Sequence, residues 1–150
     1  MNIATLRLIV AAALLLHGIA HAIALFALLA QALGGPSEKK LTVRSWLLPR
    51  LQPRGAAFLA LPFWLLSTRC FLVASAAFWG LLSAGVDWRG LATLGAIISL
   101  LGVALFPATW PGAQSPRRSL LDNAIAVAFD LIILIAIYWF HWPAPALFGR

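Results

Sequence analysis

From Leu8 to Leu33 the chain has no Asp, Glu, Lys or Arg and consists mostly of Leu, Ala, Ile and Phe. Crossing about 30 Å of hydrocarbon takes roughly 20 helical residues at 1.5 Å each, so this run is long enough to span a bilayer. Three further apolar runs follow, from about Pro62 to Ala84, Leu91 to Pro107 and Leu120 to Trp142. Pro62 is placed as a first-turn proline of the second run. No run alternates apolar and polar residues as a barrel strand does, so helices are the expected spanning elements.

Composition excludes the alternatives. Of 150 residues, 63% are apolar and 10% charged, against about 25% charged in soluble domains. A soluble monomer would lack the polar surface to cover such a core, and a disordered chain would lack the large apolar residues. The expected fold is an all-α integral membrane protein, a single four-transmembrane-helix bundle over residues 1–150. Ala20-His21-Ala22 mimics a leader-cleavage site. The apolar run is nevertheless far longer than the roughly 7–15 residues of a signal core, so retention of the segment is expected.

The connections carry the cations. Residues 34–54 hold Lys39, Lys40, Arg44, Arg50 and Arg54, interleaved with Trp46, Leu47, Leu48 and Leu51. Pro49 and Pro53 deny this stretch a long helix, and the mixture suits a segment lying among headgroups. Val86 to Gly90 reads as a tight turn, and residues 107–119 as a Pro/Gly-rich loop ending in Arg117 and Arg118. The first and third loops outweigh Arg7, Arg89 and Arg150 on the opposite face. The positive-inside rule then predicts cytoplasmic long loops and outside termini, in a bacterial inner membrane. Trp46 and Trp110 would belt one interface, and Trp88, Trp139 and Trp142 the other. The net charge of +7 thus points to anionic lipid headgroups and not to nucleic acid.

Ionisable groups inside a membrane are costly, which makes each a candidate for function. His17 and His21 lie four residues apart, on one helix face, where two imidazoles can share a metal ion. Their common face is wrong for bis-histidine haem ligation, which needs opposite sides of the ring. His17 with His141 is a poorer haem pair, because their depths differ. Asp130 sits roughly 13–15 Å into the fourth run, too deep for its short side chain to reach water. It must be protonated or paired. Asn123 and His141 fall near the same helical stripe as Asp130. Arg69 enters the second run from the same membrane face, and either extends to the headgroups or pairs with Asp130. The expected intramembrane polar cluster is therefore His17, His21, Arg69, Asp130 and Asn123, with His17, His21 and Asp130 as candidate metal ligands.

Small residues mark the packing faces: Gly95, Ser99 and Gly102 on the third helix, Ala74 to Ala77 on the second. The lone Cys70 reads as a small buried residue, with a nucleophile beside Arg69 as the alternative. No phosphate-binding Gly loop, nucleophile elbow or His-Glu-x-x-His is present, so no enzymatic class is indicated.

The segment His17-Gly18-Ile19-Ala20-His21, with Trp110-Pro111 and Asn123, resembles small bacterial four-span membrane proteins that carry His-Gly-x-x-His in their first helix. Span count, size and the His-Gly step also resemble DoxX-like membrane proteins. The resemblance implies a four-helix membrane fold and brings no activity with it. The first functional expectation is a non-enzymatic accessory or scaffolding subunit of a homo-oligomer or larger membrane complex, holding no cofactor. The alternatives are a small proton-coupled carrier using His17, His21 and Asp130, and a metal- or haem-binding membrane redox protein.

Overall fold

The computed structural model describes residues 2–34, 44–82, 85–107 and 116–143, with residues 116–119 described by backbone alone. It is all-helical: α1 (Ile3–Ala32), α2 (Pro53–Trp79), α3 (Trp88–Leu105) and α4 (Pro116–Tyr138). All four are long and apolar enough to cross a membrane.

Local chemistry sets the ends. The Asn2 side chain accepts a hydrogen bond from Ala4 N at 3.0 Å, capping α1. At the other end Gly34 adopts φ +73°, and Arg54 Nε donates to Ala32 O at 2.8 Å, placing a cation on the terminal carbonyls. Pro53 occupies the first turn of α2, so the helix starts nine residues before Pro62, which lies inside it. The expected start was late because Arg54 and Gly55 lower the local apolarity, while a first-turn proline and the alanines that follow favour helix. Asp87 caps α3, accepting from Arg89 N at 3.0 Å, so Trp88 to Gly90 belong to the helix and not to a turn. Pro116 likewise opens α4, which moves Arg117 and Arg118 out of the loop and into the first helical turn. The fourth helix ends at Tyr138, short of the expected Trp142.

The chain runs up and down. α1 packs along α2, α2 along α3 and α3 along α4. Near one end Ser75 Oγ donates to Ala11 O at 2.8 Å, while Arg54 binds the far end of α1, so α1 and α2 are antiparallel. Glycines allow close approach: a Cβ on Gly18 would lie 3.0 Å from Leu72 Cδ2, and one on Gly95 3.0 Å from Cys70 Cβ. Cys70 is therefore the small buried residue of that contact.

The distribution of side chains is inverted relative to a soluble bundle. Alanines, Ser67, Thr68, Ser75, Ser99, both helix histidines and Asp130 are buried, while Leu16, Phe26, Phe58, Ile125 and Ile132 face outward. Two apolar clusters divide the interior. One joins Ala24, Leu28, Ala60, Trp64, Val103 and Ala126; the other joins Leu14, Phe71, Ala74, Ala96 and Ile137. His17 and His21 on α1, Ser67 and Thr68 on α2, Ser99 on α3 and Asp130 on α4 lie in sequence between each helix's two contributions to these clusters, while Ser75 and Thr93 lie in the second cluster's own region. A polar layer is thus enclosed between two apolar ones.

Candidate metal centre

The polar layer is built from three helices. The four-residue spacing on α1 stacks His17 and His21, whose rings meet edge to face at 4.7 Å. Asp130 arrives from α4 and Ser99 from the small-residue stripe of α3. His17 Nε2 stands 2.9 Å from Asp130 Oδ1 and 3.3 Å from His21 Nε2. His21 Nε2 stands 3.2 Å from Ser99 Oγ. Asp130 and His21 are 0% exposed and His17 is 7% exposed.

These contacts restrict the protons. Two Nε2 atoms in contact share at most one hydrogen. One assignment compatible with both contacts has His17 Nε2–H donating to Asp130 Oδ1 and the Ser99 hydroxyl donating to the lone pair of His21 Nε2. Asp130 Oδ2 is buried and accepts no hydrogen bond. A buried polar atom left without a partner costs about 1–3 kcal/mol, and more when charged.

Aromatic rings hold the imidazoles in place. Phe129 stacks on His17 at 4.3 Å and 19°, and Phe71 meets the same ring edge-on at 4.6 Å. Phe71 also stacks on His21 at 5.6 Å, and Trp64 approaches it at 6.4 Å. Neither imidazole can turn its Nε2 away without displacing one of these rings.

His17, His21 and Asp130 each offer one ligand atom, all within 4.8 Å of one another. Ligands at about 2.0–2.1 Å from a tetrahedral zinc are separated by roughly 3.3–3.4 Å, and cis ligands of an octahedral first-row metal by about 3.0 Å. Two of the three edges, at 3.3 and 2.9 Å, are close to these spacings, and the third is within 4.8 Å. Two imidazoles and one carboxylate form a borderline-hard donor set suited to divalent zinc, iron, cobalt or manganese, with at least one position left open. A haem does not fit, because both histidines approach from one face.

The other expected cluster members lie elsewhere. Arg69 is exposed on the outer face of α2, and among the described residues no ion pair joins it to Asp130. Thr68 and Cys70, its neighbours, occupy the inward face instead. Asn123 stays near the membrane-surface end of α4, where Nδ2 donates to Pro107 O. His141 is exposed with φ +48°, beyond the end of α4, so the helical stripe does not reach it. Lys39 and Lys40 lie outside the described residues, as do Trp110 and the side chains of Arg117 and Arg118. Arg44 and Arg50 are exposed beside the outward-facing Trp46, Leu47 and Leu48, and Arg54 is bound to α1. Ser99, Phe71, Phe129 and Trp64 were not anticipated at the centre. Ser99 carried a signal, since it is the hydroxyl within an otherwise apolar small-residue stripe.

Comparison with protein-family models, curated proteins and solved structures gives no match for this chain.

Proposed function

We propose that this is a multi-pass protein of a bacterial inner membrane, holding one divalent transition-metal ion at mid-depth between α1 and α4. His17 Nε2, His21 Nε2 and the Asp130 carboxylate are its ligands. The observation that carries the reading is the convergence of these three ligand groups within 4.8 Å of one another, with the carboxylate wholly buried. A cation held by the two Nε2 atoms and the Asp130 carboxylate would take the place of the hydrogen between His17 Nε2 and Asp130 Oδ1 and would balance the buried charge. The basic loops face the cytoplasm and both termini face outward, in line with the excess of Lys and Arg on the first and third loops.

We prefer the metal reading to the accessory-subunit reading, because helix packing is supplied by alanines and glycines and does not call for three ligand atoms within 4.8 Å of one another. The carrier reading is weakened by the apolar layers above and below the site. The test is metal content of the gently purified protein beside a His17→Ala/His21→Ala variant. Near-stoichiometric metal that disappears in the folded variant supports the proposal. Folded wild-type protein that neither retains nor takes up zinc or cobalt refutes it, leaving His17–Asp130 as a packing pair.

A further inference from the structure

The enclosure of the site is uneven. Along the bundle axis, Leu28 and Val103 lie to one side and Leu14 and Ile137 to the other. Laterally, Phe71 and Trp64 of α2 are almost completely buried and close the site against α3. The side between α1 and α4 differs. Backbone packing runs from α1 to α2 to α3 to α4, and no comparable run joins α4 back to α1 among the described residues. At the level of the polar layer His17 spans that seam, through its hydrogen bond to Asp130 and its stack on the half-buried ring of Phe129, while α1 and α4 residues share the apolar clusters on either side. His17 is the most exposed of the three ligands.

Both axial directions lead through an apolar cluster, whereas on the α1–α4 side the ring stacked on His17 is the half-buried Phe129. The two imidazoles are packed by Phe71, Phe129 and Trp64, with the Ser99 hydroxyl as a nearby polar group, so a ligand added to a metal held there would meet a mostly aromatic surrounding. We infer that the centre takes its exogenous ligand laterally from the membrane, through the α1–α4 seam. That ligand is a neutral, lipid-dissolved molecule with one oxygen or nitrogen donor, and Phe129 is the movable cover. The inference rests on the metal reading above, since it assigns the ligand of that same centre. Apolar rings favour a neutral molecule by desolvating any charge it carries, while a borderline-hard divalent metal favours an oxygen or nitrogen donor.

The experiment uses the full chain, loaded with cobalt(II), in vesicles of phosphatidylcholine and phosphatidylglycerol. Loss of the cobalt visible band is followed after adding a chelator. The charged chelator EDTA is placed on both faces of the vesicles, and the neutral, membrane-soluble 1,10-phenanthroline is used in parallel. Phenanthroline is expected to strip the metal many-fold faster than EDTA, because it reaches the open position from the lipid. Phe129→Ala is expected to accelerate phenanthroline several-fold, whereas Leu28→Ala in the apolar layer leaves the EDTA rate unchanged. Phe129→Leu, which loses the stacked ring but keeps an apolar side chain, gives the same direction if Phe129→Ala fails to fold. Equal rates for the two chelators overturn the inference, as does acceleration of EDTA by Leu28→Ala or resistance to both reagents. In each of those cases cobalt is bound and the metal reading stands. Failure of the folded protein to bind cobalt removes the metal reading, and this inference with it.

Discussion

Gly102 tests the packing that holds the centre in place. A Cβ built on Gly102 would lie 2.6 Å from Trp64 Cζ3, 3.0 Å from Phe63 Cβ and 3.1 Å from Trp64 Cη2. Ordinary carbon contacts are at about 3.5–4.0 Å, so the Trp64 ring must retreat by roughly 1 Å. It has little space, being 1% exposed with His21 on its other side. Overpacking of this kind costs about 1–3 kcal/mol. Gly102→Ala is therefore expected to lower stability by that amount, measured by reversible unfolding in mixed micelles. Gly85→Ala, where nothing lies within 4 Å of the new methyl, is the control and is expected near zero. Trp64→Phe removes the ring carbons that clash, so in the double variant most of the Gly102→Ala penalty should vanish. The cycle then reports a coupling of about 1 kcal/mol or more. Equal effects of Gly102→Ala and Gly85→Ala, or strict additivity with Trp64→Phe, would show that α2 and α3 do not meet as described.

Arg69→Gln and Asn123→Ala are expected to leave metal stoichiometry unchanged, as measured by elemental analysis, because neither side chain reaches the centre. Asp130→Asn keeps an acceptor for His17 but loses the anionic ligand, and cobalt affinity should fall at least about a hundredfold by titration. In metal-free protein the same change relieves a buried carboxylate, so unfolding should show no loss of stability. A loss above about 1 kcal/mol would mean that the charge serves the bundle and not an ion. Ser75→Ala removes the hydrogen bond to Ala11 O and should cost roughly 0.6 kcal/mol, the usual worth of such bonds between membrane helices, in the same unfolding assay.

The number and class of the helices were legible because hydrocarbon imposes one periodicity and one minimum length, which the run after Leu8 meets without interruption. Helix starts were less legible. Pro53 and Pro116 act at the first turn, where the missing amide costs nothing, and nothing in a proline itself separates that use from a break. His17 and His21 were paired by helical spacing alone, and Asp130 was marked by its depth. Which partner Asp130 would find depended on the rotation of α2, and that is set by contacts such as Gly95 against Phe71. Arg69 matched Asp130 in depth and missed it in azimuth, a coordinate that a single chain of letters does not carry. The aromatic rings were invisible for a related reason: in so apolar a sequence, Phe71 and Phe129 look no different from Phe26, which faces outward.

The position of the carboxylate also bears on how the protein is made. Translation delivers α1 and its histidines to the membrane well before α4, which carries Asp130. An aspartate at the centre of a helix opposes insertion by about 2.5–3.5 kcal/mol, whereas each Leu, Ile, Phe or Val favours it by roughly 0.3–0.6 kcal/mol. The eleven Leu, Ile, Val and Phe residues between Leu120 and Tyr138 together favour insertion by roughly 3–7 kcal/mol, enough to offset Asp130. In a bilayer, a hydrogen bond from His17 would add to that balance, so α1, made first, would favour retention of the fourth crossing.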